Sequence, residues 1–76
     1  MIDTNLVGRR IAEARRKSGI TQSALAVRVG VTAQAVSKWE QGRSCPDIAL
    51  LDEIADALGI SLFELLGMEK REKSSS

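Results

Sequence analysis

Five glycines, Gly19, Gly30, Gly42, Gly59 and Gly67, each follow a short run of helically spaced apolar residues. This punctuation constrains the chain more than any other feature, because apolar residues at steps of three and four make helices and a glycine just past the last turn ends one. Leu6, Val7, Ile11 and Ala14 lead into Arg15, Arg16, Lys17 and Gly19, giving a first helix with a basic end. Thr21 can cap a second, with Leu25, Ala26 and Val29 on one face and Gly30 closing it. Val31 turns inward, and Thr32 caps a third helix with Val36 and Trp39 on its buried stripe and Gly42 beyond. Pro46 and Asp47 read as the start of a fourth, whose Ile48, Leu51, Ile54, Ala55 and Leu58 form the longest apolar stripe and the expected centre of the core. Ser61 and Glu64 make a capping box, stapled by Ile60 and Leu65, for a fifth helix that begins at Leu62 and ends near Gly67. The reading is a compact all-α domain over residues 1–67, followed by a charged, serine-rich tail over 68–76 expected to be disordered.

Composition narrows the function. At 76 residues there is room for one domain, which excludes a cofactor crevice between two lobes. The chain has no histidine and a single cysteine, Cys45, so histidine catalysis, disulfides and the usual zinc ligand sets are excluded. Two aromatics and one proline argue against a β-sandwich or barrel. No apolar run approaches the roughly 20 residues of a membrane span and no signal core opens the chain, so a cytoplasmic protein without membrane, metal, cofactor or evident small-molecule ligand is expected. Asp52, Glu53 and Asp56 read as the solvated face of the fourth helix rather than as a catalytic set, and no enzyme is expected.

The net charge of +1 conceals a division along the chain. Residues 8–44 hold eight cations against Glu13 and Glu40, whereas residues 45–76 hold seven carboxylates against Lys70, Arg71 and Lys73. One surface suited to a polyanion and one suited to solvent would produce this asymmetry, although two oppositely charged tails would give the same sums.

Gln22 to Glu40 is the informative stretch. Ala26 is small where two helices approach, Gly30 supplies the left-handed backbone of a tight turn, and Val36 and Trp39 anchor the third helix from below. Ala33, Gln34, Ser37, Lys38 and Gln41 are left on its free side. With Ile11 and Arg15, Gly19-Ile20-Thr21-Gln22, Leu25-Ala26, Gly30-Val31-Thr32, Val36-Ser37-Lys38-Trp39-Glu40, Gly42, Pro46-Asp47, Leu58-Gly59-Ile60-Ser61 and Leu65-Leu66, the chain resembles the lambda-repressor-like helix-turn-helix family of phage repressors, Cro proteins and XRE-type regulators. The resemblance spans about Leu6 to Leu66 and implies a five-helix domain that places its third helix in the major groove of double-stranded DNA, usually as a homodimer on a two-fold-symmetric operator.

Under that resemblance Ala33, Gln34, Ser37 and Lys38 are the candidate base readers. Gln34 can pair bidentately with adenine, Ala33 can touch a thymine methyl or merely be permissive, and Ser37 and Lys38 reach either bases or phosphates. Gln22, Thr32, Arg43 and Ser44 are the candidate phosphate contacts, and Arg15 and Glu40 the ion pair that ties the first helix to the end of the third. Phe63 departs from the polar residue relatives often carry there. With Leu62 and Leu66 it forms either a dimer patch or a peripherally buried cluster. The expected function is a sequence-specific transcriptional regulator, most simply a repressor, with an antitoxin or protein-interaction adaptor as the alternative.

Overall fold

A side-chain oxygen starts every helix of the computed structural model, which describes residues 3–67. Asp3 accepts from the Asn5 and Leu6 amides and opens α1 (Thr4–Lys17). Thr21 accepts from Ala24 N–H at 3.0 Å and opens α2 (Gln22–Val29), and Thr32 accepts from Ala35 N–H at 3.1 Å and opens α3 (Ala33–Glu40). Asp47 serves α4 (Ile48–Leu58) and Ser61 serves α5 (Leu62–Leu65), each with a bond of 2.9 Å. Such a cap contributes about 1 kcal/mol by satisfying an N–H that the helix cannot. Among the described residues there is no strand. The tail expected over 68–76 lies outside the described residues.

All five helices supply the core. Val7 and Ile11 from α1, Leu25 from α2, Val36 from α3, Leu51 and Ile54 from α4 and Leu65 from α5 are almost completely inaccessible. Each such side chain stabilises the fold by about 1.5 to 3 kcal/mol relative to leaving it in water. Trp39 is 5% exposed and belongs to this cluster, so it packs rather than stacks on a ligand. Ile60 and Leu65 both join the cluster, as a staple requires.

Two details of α4 differ from the sequence reading. Pro46 is buried but stands ahead of the cap, so the helix proper begins at Ile48 with Asp47 as its N-cap. Ile48, placed on the core stripe by its spacing, is 56% exposed. It occupies the first turn, ahead of Leu51, which is the first residue of the stripe to reach the core. Periodicity describes one helix, whereas burial also needs a neighbour opposite it.

The orientation of α3 depends on two close approaches. α2 and α3 are joined by Gly30, Val31 and Thr32; Gly30 sits at φ 76°, a backbone open to glycine at little cost, and Val31 N–H returns to the Ala26 carbonyl at 2.9 Å. On the other side, a Cβ at Gly8 would collide with the Trp39 carbonyl oxygen, so α1 lies with its backbone directly against the end of α3.

Candidate nucleic-acid interface

At about 100° per residue, Ala33, Gln34, Ser37, Lys38 and Gln41 fall on one arc of α3, opposite Val36 and Trp39. Gln34, Lys38 and Gln41 are exposed, while Ala33 and Ser37 are half-buried. Gln41 Nε2 donates to Ser37 Oγ at 2.8 Å, a link along the outer face that occupies one acceptor site of Ser37 and leaves its hydroxyl proton available. Gln34 and Lys38 are one turn apart and are the two longest free polar side chains projecting from this face, Gln34 in the first turn of α3 and Lys38 in the last.

Arg43 and Ser44 are exposed in the loop that leaves α3, whose backbone folds back through Arg43 N–H to the Lys38 carbonyl at 2.9 Å. The loop is seated on Asn5: a Cβ at Gly42 would overlap the Asn5 side chain. Neither Asn5 nor Gly8 stands out in the sequence, because a close backbone approach from a distant helix leaves no periodic signal.

Arg15 and Glu40 meet in a two-pronged ion pair. Arg15 Nε donates to Glu40 Oε2 at 2.7 Å and Nη2 donates to Oε1 at 3.1 Å, while Nη1 donates to the Ile20 carbonyl at 3.0 Å. The side chains are only 14% and 9% exposed. Burial pushes the Glu40 carboxyl up, but hydrogen bonds from Arg15 and Gln22, with the charges of Arg15 and Arg16, outweigh it and hold the group below its ordinary 4.5. The same hydrogen bond to Glu40 raises Arg15 above its ordinary value despite partial burial.

The family resemblance makes Gln22, at the start of α2, a candidate phosphate contact. The structure places it half-buried, with Nε2 donating to Glu40 Oε1 at 3.0 Å, so one carboxylate joins α1, α2 and α3. The residues are 18 positions apart and polar, and no pattern in the chain links them.

The remaining cations divide between faces. Arg28 Nη1 donates to the Ala57 carbonyl of α4 at 3.3 Å, and Arg10 lies beside Gly67 at the end of α5, so neither is simply part of a field around α3. Phe63 is 62% exposed, whereas Leu62 and Leu66 are half-buried and pack on the protein's own core. The described residues hold no cluster of acidic and cysteine side chains fit for a metal, and no helix among them is long and apolar enough to cross a membrane.

Residues 11–65 match a family model described as helix-turn-helix. An uncharacterised HTH-type transcriptional regulator of Sinorhizobium fredii, y4dJ, is 43% identical over 61 residues, covering 80% of this chain and 79% of the relative. The cryptic phage CTXphi transcriptional repressor RstR of Vibrio cholerae is 38% identical over 58 residues, covering 76% and 52%. Among solved structures, the P22 c2 repressor protein in complex with a synthetic operator superposes with a TM-score of 0.77 at 37% identity, covering 82% of this chain and 94% of that one.

Proposed function

From the premise that this chain belongs to the helix-turn-helix family of DNA-binding transcriptional regulators, we propose that it is a repressor-type regulator that inserts α3 into the major groove of a two-fold-symmetric operator. The observation that carries this reading is the construction of α3. Its inner side is clamped by Val36, Trp39 and the Arg15–Glu40 pair, and its outer side presents only small and polar residues. A helix so held loses little freedom on binding, and two or three aligned side chains can then discriminate bases.

In this reading Gln34 pairs with adenine, Lys38 and Ser37 reach bases or the neighbouring phosphates, and Ala33 lies against a thymine methyl. Gln22 and Thr32 at the fronts of α2 and α3, with Arg43 and Ser44 beyond α3, grip the phosphate backbone on either side. Two copies would pair through the region of Leu62, Phe63 and Leu66, setting their third helices about 34 to 36 Å apart, one turn of the duplex. The exposure of Phe63 supports this, while Leu62 and Leu66 are partly buried against the core.

A binding selection from a random duplex library should return a motif with two-fold symmetry. Against that motif Gln34→Ala should lose about 1 to 3 kcal/mol at one base pair per half-site, while Gln22→Ala should weaken operator and random duplex alike. Equal losses for both variants on both duplexes would remove the division between reading and gripping. A monomer that ignores duplex DNA at low salt would instead favour an adaptor that presents Phe63 to another protein.

A further inference from the structure

Glu40 holds two partners that have opposite needs. Arg15 brings a full positive charge through two nitrogens, and Gln22 brings a neutral amide through Nε2 at 3.0 Å. A carboxylate can only accept, so the contact decides which end of the Gln22 amide faces inward. It also uses only one of the two hydrogens on Nε2. The second lies in the same planar amide and points away from the carboxylate.

The start of α2, where Gln22 sits, suits an anion. Gln22 is the first residue of α2, a helix of 8 residues. Ala24 N–H is taken by Thr21 Oγ1 and Leu25 N–H by the Thr21 carbonyl, leaving the amides of Gln22 and Ser23 without helical partners at the positive end of the helix dipole. A bare carboxylate close behind would repel a phosphate, but the forked contact with Arg15 neutralises it.

We propose that Glu40 is a positioning residue for DNA: its carboxylate, neutralised by Arg15, fixes the Gln22 amide so that the second Nε2 hydrogen donates to a backbone phosphate. This rests on the proposed phosphate contact of Gln22 and adds the group that aims it. The end of the reading helix, α3, thereby sets the geometry of the grip at the start of α2, so both contacts are placed by one side chain.

The test is a double-mutant cycle on binding to a random-sequence duplex at low salt. Gln22→Ala and Glu40→Ala should each weaken binding about ten- to a hundredfold, the worth of one charge-assisted hydrogen bond. The double variant should bind within about twofold of Gln22→Ala alone, because Glu40 has no route to the phosphate once Gln22 is gone. Losses that multiply in the double variant would overturn the proposal and leave Glu40 a purely structural role, as would an undiminished affinity in Glu40→Ala.

Because Glu40→Ala strands the Arg15 charge, Arg15→Met combined with Glu40→Leu provides a second arm that keeps α1 and α3 in apolar contact. It should show the same loss, abolished in the Gln22→Ala background. In the wild-type protein one of the two Gln22 side-chain amide proton resonances should move strongly on adding duplex; equal movement of both, or of neither, counts against the proposal. If Gln22→Ala leaves affinity unchanged while Gln34→Ala loses operator binding, the phosphate contact and this inference fall together and base reading by α3 stands.

Discussion

The two helices α3 and α4 are held in place in different ways. α4 contributes Leu51, Ile54, Ala55 and Leu58 to the core, and its only cross-helix side-chain hydrogen bond among the described residues comes from Arg28. α3 contributes just Val36 and Trp39 at full burial and is held in addition by the Arg15–Glu40–Gln22 cluster. A helix that must leave a broad polar face free has fewer apolar residues to spend on the core. Non-directional burial then leaves its rotation loosely set, and directional hydrogen bonds complete the definition. α4 is held chiefly by burial, whereas α3 is also aimed by directional contacts.

The comparison predicts its own breaking points. Ile54→Ala should remove the most, about 2 to 5 kcal/mol, by opening a cavity at the centre of the core, and denaturant unfolding would measure it. For a chain of this size, with a total stability of about 4 to 11 kcal/mol, that change is a large fraction of the whole.

Glu40→Gln should cost about 2 to 3 kcal/mol, between the value of a fully buried pair and that of an exposed one, because Arg15 keeps its charge without a full counterion. This contribution depends on pH. The Glu40 carboxyl titrates lower in the folded chain than its ordinary 4.5, so its stabilisation is complete above that value and is lost as pH falls through the folded one. Thermal melts below pH 4.5 should therefore fall less steeply for Glu40→Gln than for the wild type. Parallel curves would show that the pair contributes nothing to acid sensitivity.

Gly8→Ala should cost about 1 to 3 kcal/mol by pressing a methyl against the Trp39 carbonyl and shifting α1 off α3. It sharpens the comparison if operator binding suffers more than stability accounts for, since the shift falls on the backbone against which the end of α3 is seated. The smallest effect on folding belongs to Phe63→Ser, under about 0.5 kcal/mol for an exposed side chain. Sedimentation equilibrium should nonetheless show weaker self-association; an unchanged distribution would remove Phe63 from the proposed dimer contact.

Much of the architecture was legible before any coordinates. Thr21, Thr32 and Ser61 cap the helices their spacing suggested, and Gly30 turns the chain between α2 and α3. These signals are local, involving residues within four positions of each other, and local backbone chemistry decides them. Ile48 shows the limit: its spacing is that of a core residue, yet it lies before the helix reaches a neighbour. Asp3, which caps α1, carries a weaker signal, because the first apolar residue of its helix comes three positions later.

The candidate site was legible as a surface and not as a mechanism. The free face of α3 follows from Val36 and Trp39 by helical geometry, and the pairing of Arg15 with Glu40 was available only through family resemblance. That Gln22 would share the same carboxylate could not be read from the chain, because the contact needs three helix axes to converge.

Helix positions, their caps, the polar face of α3 and the electrical division of the molecule are thus determined by the order of residues alone, since each depends on neighbours a turn or less away or on simple charge. Which helix backbone lies against which, how Gly8 and Asn5 seat the end of α3, and where the amide of Gln22 points were decided only by the tertiary structure. Those features arise from contacts between residues distant in the chain, whose geometry exists once the apolar stripes have packed and not before.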